Sequence, residues 1–423
     1  MIPPDVQSAI ETVWRLESPR VIAGLTRIVR DLALAEDLAH DALVAALEQW
    51  PTQGTPRNPG AWLMATAKHR AIDQLRRRTR LTQKHEQLAR DIEESRSDPA
   101  HDLVTAMDDD IGDDLLRLIF TACHPVLPTE ARVALTLRLL GGLTTEEIAR
   151  AFLTPEPTIA QRIVRAKRNL AKAAVPFEVP RGQERQERLS SVLDVLYLVF
   201  NEGYSATAGD DWVRPSLCGE ALRLGRVLAE LLPEEPEVHG LVALMEFQSS
   251  RLRARVGPHG EPVRLQDQDR ARWDRLLIGR GVAALRRAER LTDDPGPYLL
   301  QAAIASCHAV AAVPDATDWP RIAGLYAALV AVTGSPIVRL NHAVAVSMAD
   351  GPAAGLRLVD ALLAEGALAA YHYAPSVRGD LLEKLGRLPE AASEFERAAA
   401  LTKNLPERDL LLGRVRACQT RPG

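Results

Sequence analysis

Aromatic residues make up only 4% of this 423-residue chain, and long runs of β-branched residues are missing. Strands draw on those residue types, so their scarcity argues against a sheet architecture. An abundance of Ala, Leu, Arg and Glu points to an all-α chain. Cysteine is also scarce: Cys123, Cys218, Cys307 and Cys418 stand far apart without CxxC spacing. Neither a zinc module nor a disulfide framework is indicated, and buried thiols in a reducing cytoplasm are expected. Cys123-His124 lacks a second ligand pair, so a packing role is expected there too. No stretch reaches the ~20 apolar residues of a membrane span. The N-terminal MIPPDVQSAIETVWRLE carries acids where a signal peptide needs cations. A soluble, intracellular protein with no membrane partner is expected. A net charge of -4 argues against a general nucleic-acid coat but permits a local basic surface. The phosphate-loop, zinc, nucleophile-turn and dinucleotide motifs are all missing, so neither catalysis nor a cofactor is expected. The length calls for two or more domains.

What is present is organised around LTTEEIARAFLTPEPTIAQRIVRAKRNL, Leu143–Leu170. Thr144 and Glu147 have capping-box spacing, and Thr158 with Gln161 repeats it. The prolines of Thr154-Pro155-Glu156-Pro157 must end the first helix, since proline lacks an amide donor and pushes the preceding residue out of the helical region. In the second helix Ile159, Ile163, Ala166 and Leu170 recur at helical spacing, facing Ile148, Ala149 and Phe152 of the first. That leaves Gln161, Arg162, Arg165, Arg168 and Lys172 outward. Gln and Arg on a capped helix after a short turn suit a DNA major groove, where both make paired hydrogen bonds to base edges. An ordinary solvated helix pair fits the same residues.

Helical patterns also run from Val6 to Trp50. Val13, Leu16, Val21, Leu25 and Ile28 supply apolar positions first, then Leu34, Leu38, Leu43 and Leu47. Glu36, Asp37 and Asp41 sit near the start of the second helix, where carboxylates either stabilise the positive helix end or present an acidic face to a basic partner. PTQGTPRNPG, Pro51–Gly60, reads as a loop. From Ala61 a helix carries Lys68, His69, Arg70, Arg76, Arg77, Arg78 and Arg80, the most basic segment of the chain. Such a concentration of cations suits a phosphate backbone.

ALAEDLAHDALVAALEQW followed by a loop and AWLMATAKHRAIDQLRRR resembles region two of the extracytoplasmic-function (ECF) sigma factors of bacterial RNA polymerase, and the Leu143–Leu170 helix pair resembles their region four. The joint likeness covers roughly residues 1 to 176. It implies a sigma region 2 helical bundle at 1–85, an acidic linker at 86–112 and a region 4 helix-turn-helix at 113–178. It also implies core RNA polymerase and promoter DNA as partners. By position, Asp37, His40 and Asp41 match the helix that docks on the polymerase clamp. Arg57 and Asn58 match the loop that captures a flipped promoter base, and Lys68, His69, Arg76 and Arg77 match the promoter-strand surface. Thr158, Gln161, Arg162, Arg165 and Arg168 match the helix that meets the upstream element. His40 stands where the family usually has Gln, and Pro157 replaces a common turn Gly.

The linker is strongly acidic, with Asp91, Glu93, Glu94, Asp98, Asp102, Asp108, Asp109, Asp110, Asp113 and Asp114. Its resemblance to the connector inside the polymerase makes it a candidate mimic of nascent RNA. Leu115, Leu118, Ile119, Val133, Leu137 and Leu140 should form the core beneath the helix-turn-helix. Beyond VPFEVPRGQERQER lies an α-helical domain, 185–423, in which APSVRGDLLEKLGRLPEAASEFERAAALTKNLPER resembles a tetratricopeptide repeat through Leu381, Leu385, Gly386, Ala391, Phe395, Ala398 and Pro406. Three earlier segments look like degenerate units. Such arrays present concave surfaces, so this TPR-like domain is a candidate seat for a protein or small-molecule regulator. Within Val195–Asp211, Tyr197, Phe200 and Tyr204 surround Asn201, Glu202 and Gly203, either to line a ligand pocket or to cap a helix and fill the domain interface. The competing reading of the whole chain is a helix-turn-helix regulator with a TPR-like sensor that never replaces sigma.

Overall fold

The computed structural model describes residues 4–87, 111–205, 213–258, 261, 263–366, 368–402 and 405–420. Among them there are helices and turns but no β-strand. The chain divides into two compact units, Met1–Val195 and Leu196–Gly423.

The first unit opens with α1 (Pro4–Val29), α2 (Leu32–Gln53) and α3 (Pro59–Gln87), all in mutual contact. Asp31 caps α2, its Oδ1 accepting from the amides of Ala33 at 2.9 Å and Leu34 at 3.1 Å. Val21, Leu25, Leu34 and Leu38 are buried as their spacing predicts, whereas Leu16 is exposed. The loop expected over Pro51–Gly60 is shorter: α2 runs on through Pro51 to Gln53, and α3 starts at Pro59. Proline in the first helical turn gives up an amide that has no partner anyway. The linker acids Asp91 to Asp110, and the side chains of Arg78 and Arg80, lie outside the described residues.

Next come α4 (Ile111–Ala122), α5 (Thr129–Leu139), α6 (Thr145–Ala151), α7 (Glu156–Lys172) and the start of α8 (Gly182–Tyr204). Asp113 and Asp114, read with the linker, belong instead to the first turn of α4. Asp114 is buried and ion-paired to Arg27 of α1 at 3.0 Å and to Arg117 at 2.6 Å. It therefore ties α4 to α1. The expected core members Leu115, Leu118, Ile119, Val133, Leu137 and Leu140 are all buried. Cys123 is buried with them, its Sγ 3.3 Å from Thr136 Oγ1, and burial pushes the thiol up to about 11.

The second unit is a run of antiparallel helices: α9 (Pro215–Leu231), α10 (Pro236–Ser250), α11 (Arg275–Leu291), α12 (Pro297–Val310), α13 (Trp319–Thr333), α14 (Pro336–Asp350), α15 (Pro352–Ala364), α16 (Tyr373–Lys384), α17 (Leu388–Leu401) and α18 (Leu405–Thr420). Each packs on the next, including α10 on α11, although residues 251–274 between those two form a long connection with three short 3-10 turns. The TPR-like segment forms the hairpin α16–α17 and the start of α18, with Leu381, Ala391, Phe395 and Ala398 buried. Gly386, at φ 76°, closes α16 in the left-handed conformation that glycine adopts freely. Leu385 is partly exposed, so it contributes less to that core than the repeat pattern suggests.

Close approach sets the fit of α10 on α12. Glu237 accepts from the amides of Tyr298 at 2.8 Å and Leu299 at 3.1 Å, capping α12 from a neighbouring helix. One turn on, a Cβ at Gly240 would meet Leu299 N at 2.7 Å and its Cα at 2.9 Å. Backbone cannot yield as a flexible side chain can. Gly240→Ala is therefore expected to destabilise the unit by about 1–3 kcal/mol, the usual range for overpacking, as a drop in Tm by calorimetry. Unchanged melting would mean the two helices are not held this close.

Candidate nucleic-acid interface

The helix-turn-helix forms where the sequence places it. Thr144 Oγ1 accepts from Glu147 N at 3.1 Å and Glu147 Oε2 accepts from Thr144 N at 2.8 Å, completing the capping box of α6. The helix ends at Ala151, Leu153 turns through φ 47°, and the amide of Thr154 returns to Ala149 O at 3.0 Å. The second capping box does not form. Because Pro157 fits the first turn, α7 begins at Glu156 with Pro155 as its cap, and Thr158 already lies inside the helix.

On α7, Ile159, Ile163, Ala166 and Leu170 are buried as spaced. Thr158, Gln161, Arg165 and Arg168 are exposed and follow one another at three- and four-residue steps, so they share a face; Arg162 beside them is half-buried. Among the described residues the side chains of Gln161, Arg162, Arg165 and Arg168 make no hydrogen bond or ion pair. Their donors are available to a ligand outside the chain. Val164, 47% exposed, lies next to that face and escaped the sequence reading.

On α2 none of the three acids lies in the first helical turn. Asp31 is the cap, so Glu36, Asp37 and Asp41 lie beyond the first turn, where the helix dipole has faded. Asp37 and Asp41 are exposed one turn apart, and Val44, 50% exposed, continues their face. Asp41 has only a distant pairing with Arg70, at 3.9 Å.

Glu36 points the other way. It is 4% exposed, and its carboxylate meets Arg138 of α5 at 2.7 Å and Lys167 of α7. Burial alone would raise its pKa, but Lys167 and Arg138 together carry it below the usual carboxylate value. His40 joins this cluster: its Nδ1 is 2.9 Å from Glu36 O and its Nε2 2.9 Å from Arg138 Nη2. A carbonyl only accepts and a guanidinium only donates, so Nδ1 donates to Glu36 and Nε2 accepts from Arg138. His40 thus faces inward as much as outward, unlike Asp37 and Asp41. Nothing in the sequence pairs Glu36 with residues more than 100 positions away; the one hint is its place beside the Leu34–Leu38 stripe.

The remaining candidates line the α2–α3 turn and α3. Arg57 is exposed. Asn58 is exposed too, but its Oδ1 accepts from Ala61 N at 3.1 Å, so it caps α3 whatever else it does. Lys68 is half-buried, while His69, Arg76 and Arg77 are exposed. His69 Nδ1 is fixed on Ala65 O at 2.8 Å, which leaves Nε2 outward. The structure thus holds an acidic face on α2, a basic face on α3 and a Gln/Arg face on α7 within one unit.

Residues 13–81 match sigma-70 region 2, residues 117–170 match sigma-70 region 4, and residues 188–289 match a family of unknown function (DUF6596). An uncharacterized protein of Rhizobium meliloti is 45% identical over 92% of this chain and 91% of its own length. The RNA polymerase sigma-H factor of Pseudomonas aeruginosa is 29% identical over 37% of this chain and 82% of its own length. The ECF RNA polymerase sigma factor SigK of Mycobacterium ulcerans is 28% identical over 36% and 78%. The chain belongs to the sigma-70 family of RNA polymerase sigma factors, in its ECF group, with a helical extension beyond region 4. Among the described residues no helix is long and apolar enough to cross a membrane.

Proposed function

We propose that this chain is a promoter-specificity subunit in which each exposed face serves one partner. Asp37 and Asp41, with His40 at their edge, dock on core RNA polymerase. Arg57, Asn58, Lys68, His69, Arg76 and Arg77 hold the opened promoter strand. Thr158, Gln161, Arg162, Arg165 and Arg168 meet the upstream promoter element. The polymerase supplies the chemistry, and the helical extension modulates the subunit's activity. The observation that carries this reading is the pairing, in one unit, of an acidic face that the helix dipole does not explain with a Gln/Arg face whose donors have no partner among the described residues. A helix-turn-helix regulator that never joins polymerase has no use for the acidic face, and the region 2 match also disfavours it.

The test is runoff transcription with purified core polymerase and the chain's own upstream region as template. Gln161→Ala and Arg165→Ala are each expected to weaken promoter binding by about 1–3 kcal/mol and to relax preference at particular bases, as loss of a paired base contact does. Arg76→Ala and Arg77→Ala should instead weaken binding uniformly and lower its salt dependence, as loss of phosphate contacts does. If all four variants behave alike, the two surfaces do not divide the work this way.

A further inference from the structure

The 3-10 connection at 251–274 has a cavity beside it. Its volume is about 290 Å³, and its walls include Tyr197, Gln248, Arg251, Trp273, His308 and Tyr326. Leu265 and His308 also border a second hollow of about 500 Å³, with Arg270 and Asp315 in its wall. The first volume lies at the small end of ligand pockets, room for a body of about one ring.

Among the residues that line the first cavity, Arg251 is the one charged side chain. Arg251 spends Nε and Nη2 on a single neutral oxygen, Gln248 Oε1, and sits 5.5 Å from the Tyr204 ring centroid. Arg270, 7% exposed, donates to the carbonyls of His308 at 2.8 Å and Ala311 at 2.5 Å and to Thr317 Oγ1 at 3.4 Å. Its guanidinium lies 4.8 Å from the Trp273 ring centroid. Among the described residues no carboxylate pairs with Arg251 or Arg270. Trp273 is 3% exposed, and its indole N–H is buried with no acceptor in the protein. Buried cations are ordinarily paired and buried donors ordinarily satisfied. His308 registers the same field: burial first, then Arg251 and Arg270, hold it down at about 4, so at neutral pH it adds no charge of its own.

We propose that this cavity binds a small organic anion, a carboxylate or phosphate on a flat or apolar body. Arg251 takes the anionic oxygens, and Tyr197, Phe247, Trp273 and Tyr326 enclose the body. The aromatic group that the sequence offered either to a pocket or to a helix cap and domain interface does not act as one. Phe200, 1% exposed, fills the interior, while Tyr197 lines the cavity with its hydroxyl 3.1 Å from Gln301 Oε1. Binding does not depend on whether the extension modulates transcription, and it is measured without polymerase.

The full chain, labelled at its tryptophan indoles, is titrated with benzoate, phenyl phosphate and neutral benzamide while the Trp273 N–H resonance, assigned through Trp273→Phe, is followed. Benzoate or phenyl phosphate is expected to shift it with saturation below about 10 mM, a weak but specific affinity. Benzamide should not. The tighter of the two anions identifies the carboxylate or the phosphate as the group preferred. Arg251→Met should weaken binding about tenfold or more, in keeping with loss of a charged hydrogen bond. Ala305→Leu, which fills the cavity without touching charge, should do the same. No shift with either anion, equal binding of benzamide, or full binding by either variant overturns the proposal.

Discussion

Reversing both charges in Asp37→Lys/Asp41→Lys is expected to reduce core-dependent transcription by about a hundredfold or more while leaving the melting temperature nearly unchanged. The two halves of that expectation have separate causes. Structurally, neither carboxylate does much: among the described residues Asp37 has no polar partner, and Asp41 has only Arg70 at 3.9 Å with both side chains in solvent. Exposed pairs of that kind contribute about 0–1 kcal/mol. At an interface the same charges weigh far more, because losing one partner of a docked charge pair costs about 2–5 kcal/mol, and like charges brought together repel. Two such positions make a hundredfold loss a modest expectation, since each factor of ten is about 1.4 kcal/mol. The measurement is runoff transcription beside direct binding to core, with calorimetry as the control. Full activity with normal melting would remove α2 from the docking surface.

Much of this architecture can be read from local rules. The Thr144–Glu147 box, the proline break after Ala151 and the stripe Ile159–Ile163–Ala166–Leu170 each depend on residues a few positions apart, and each appears as spaced. Proline at helix ends was harder to read: Pro51 and Pro59, expected in a loop, and Pro157, expected ahead of a cap at Thr158, all lie inside helices, the last two in first turns where an amide is dispensable. Charge was harder still. Glu36, Asp37 and Asp41 look alike in the sequence, yet one is buried on partners from α5 and α7 and two face solvent, because direction around a helix changes by about 100° per residue. Lys167 looks like one more cation of the recognition helix and in fact turns inward. The cavity in the second unit depends on residues from Tyr197 to Asn341 meeting beside an irregular segment, and no repeat or motif signals that.

The Glu36 cluster carries the second large effect. Its carboxylate serves two cations on two other helices, and His40 accepts a further hydrogen bond from Arg138, so α2, α5 and α7 converge on one buried side chain. Removing one member of a buried pair leaves uncompensated charge and costs about 3–5 kcal/mol. Here Arg138 and Lys167 are 21% and 16% exposed, and water can partly restore them. A loss of about 2–4 kcal/mol is therefore expected for Glu36→Ala. The sign of its pH dependence follows from the pKa. Glu36 is lowered in the folded chain, with burial opposing and Lys167 and Arg138 prevailing, so its contribution is complete above the unfolded value of 4.5 and is lost as pH falls below it. Other carboxylates also weaken the fold in acid, which makes the difference between parent and variant the informative quantity. The melting gap between parent and Glu36→Ala should be widest near neutral pH and narrow below about pH 4.5. A gap that stays constant into acid would mean that what Glu36 contributes is packing. In that case the charges of Arg138 and Lys167 would need another account.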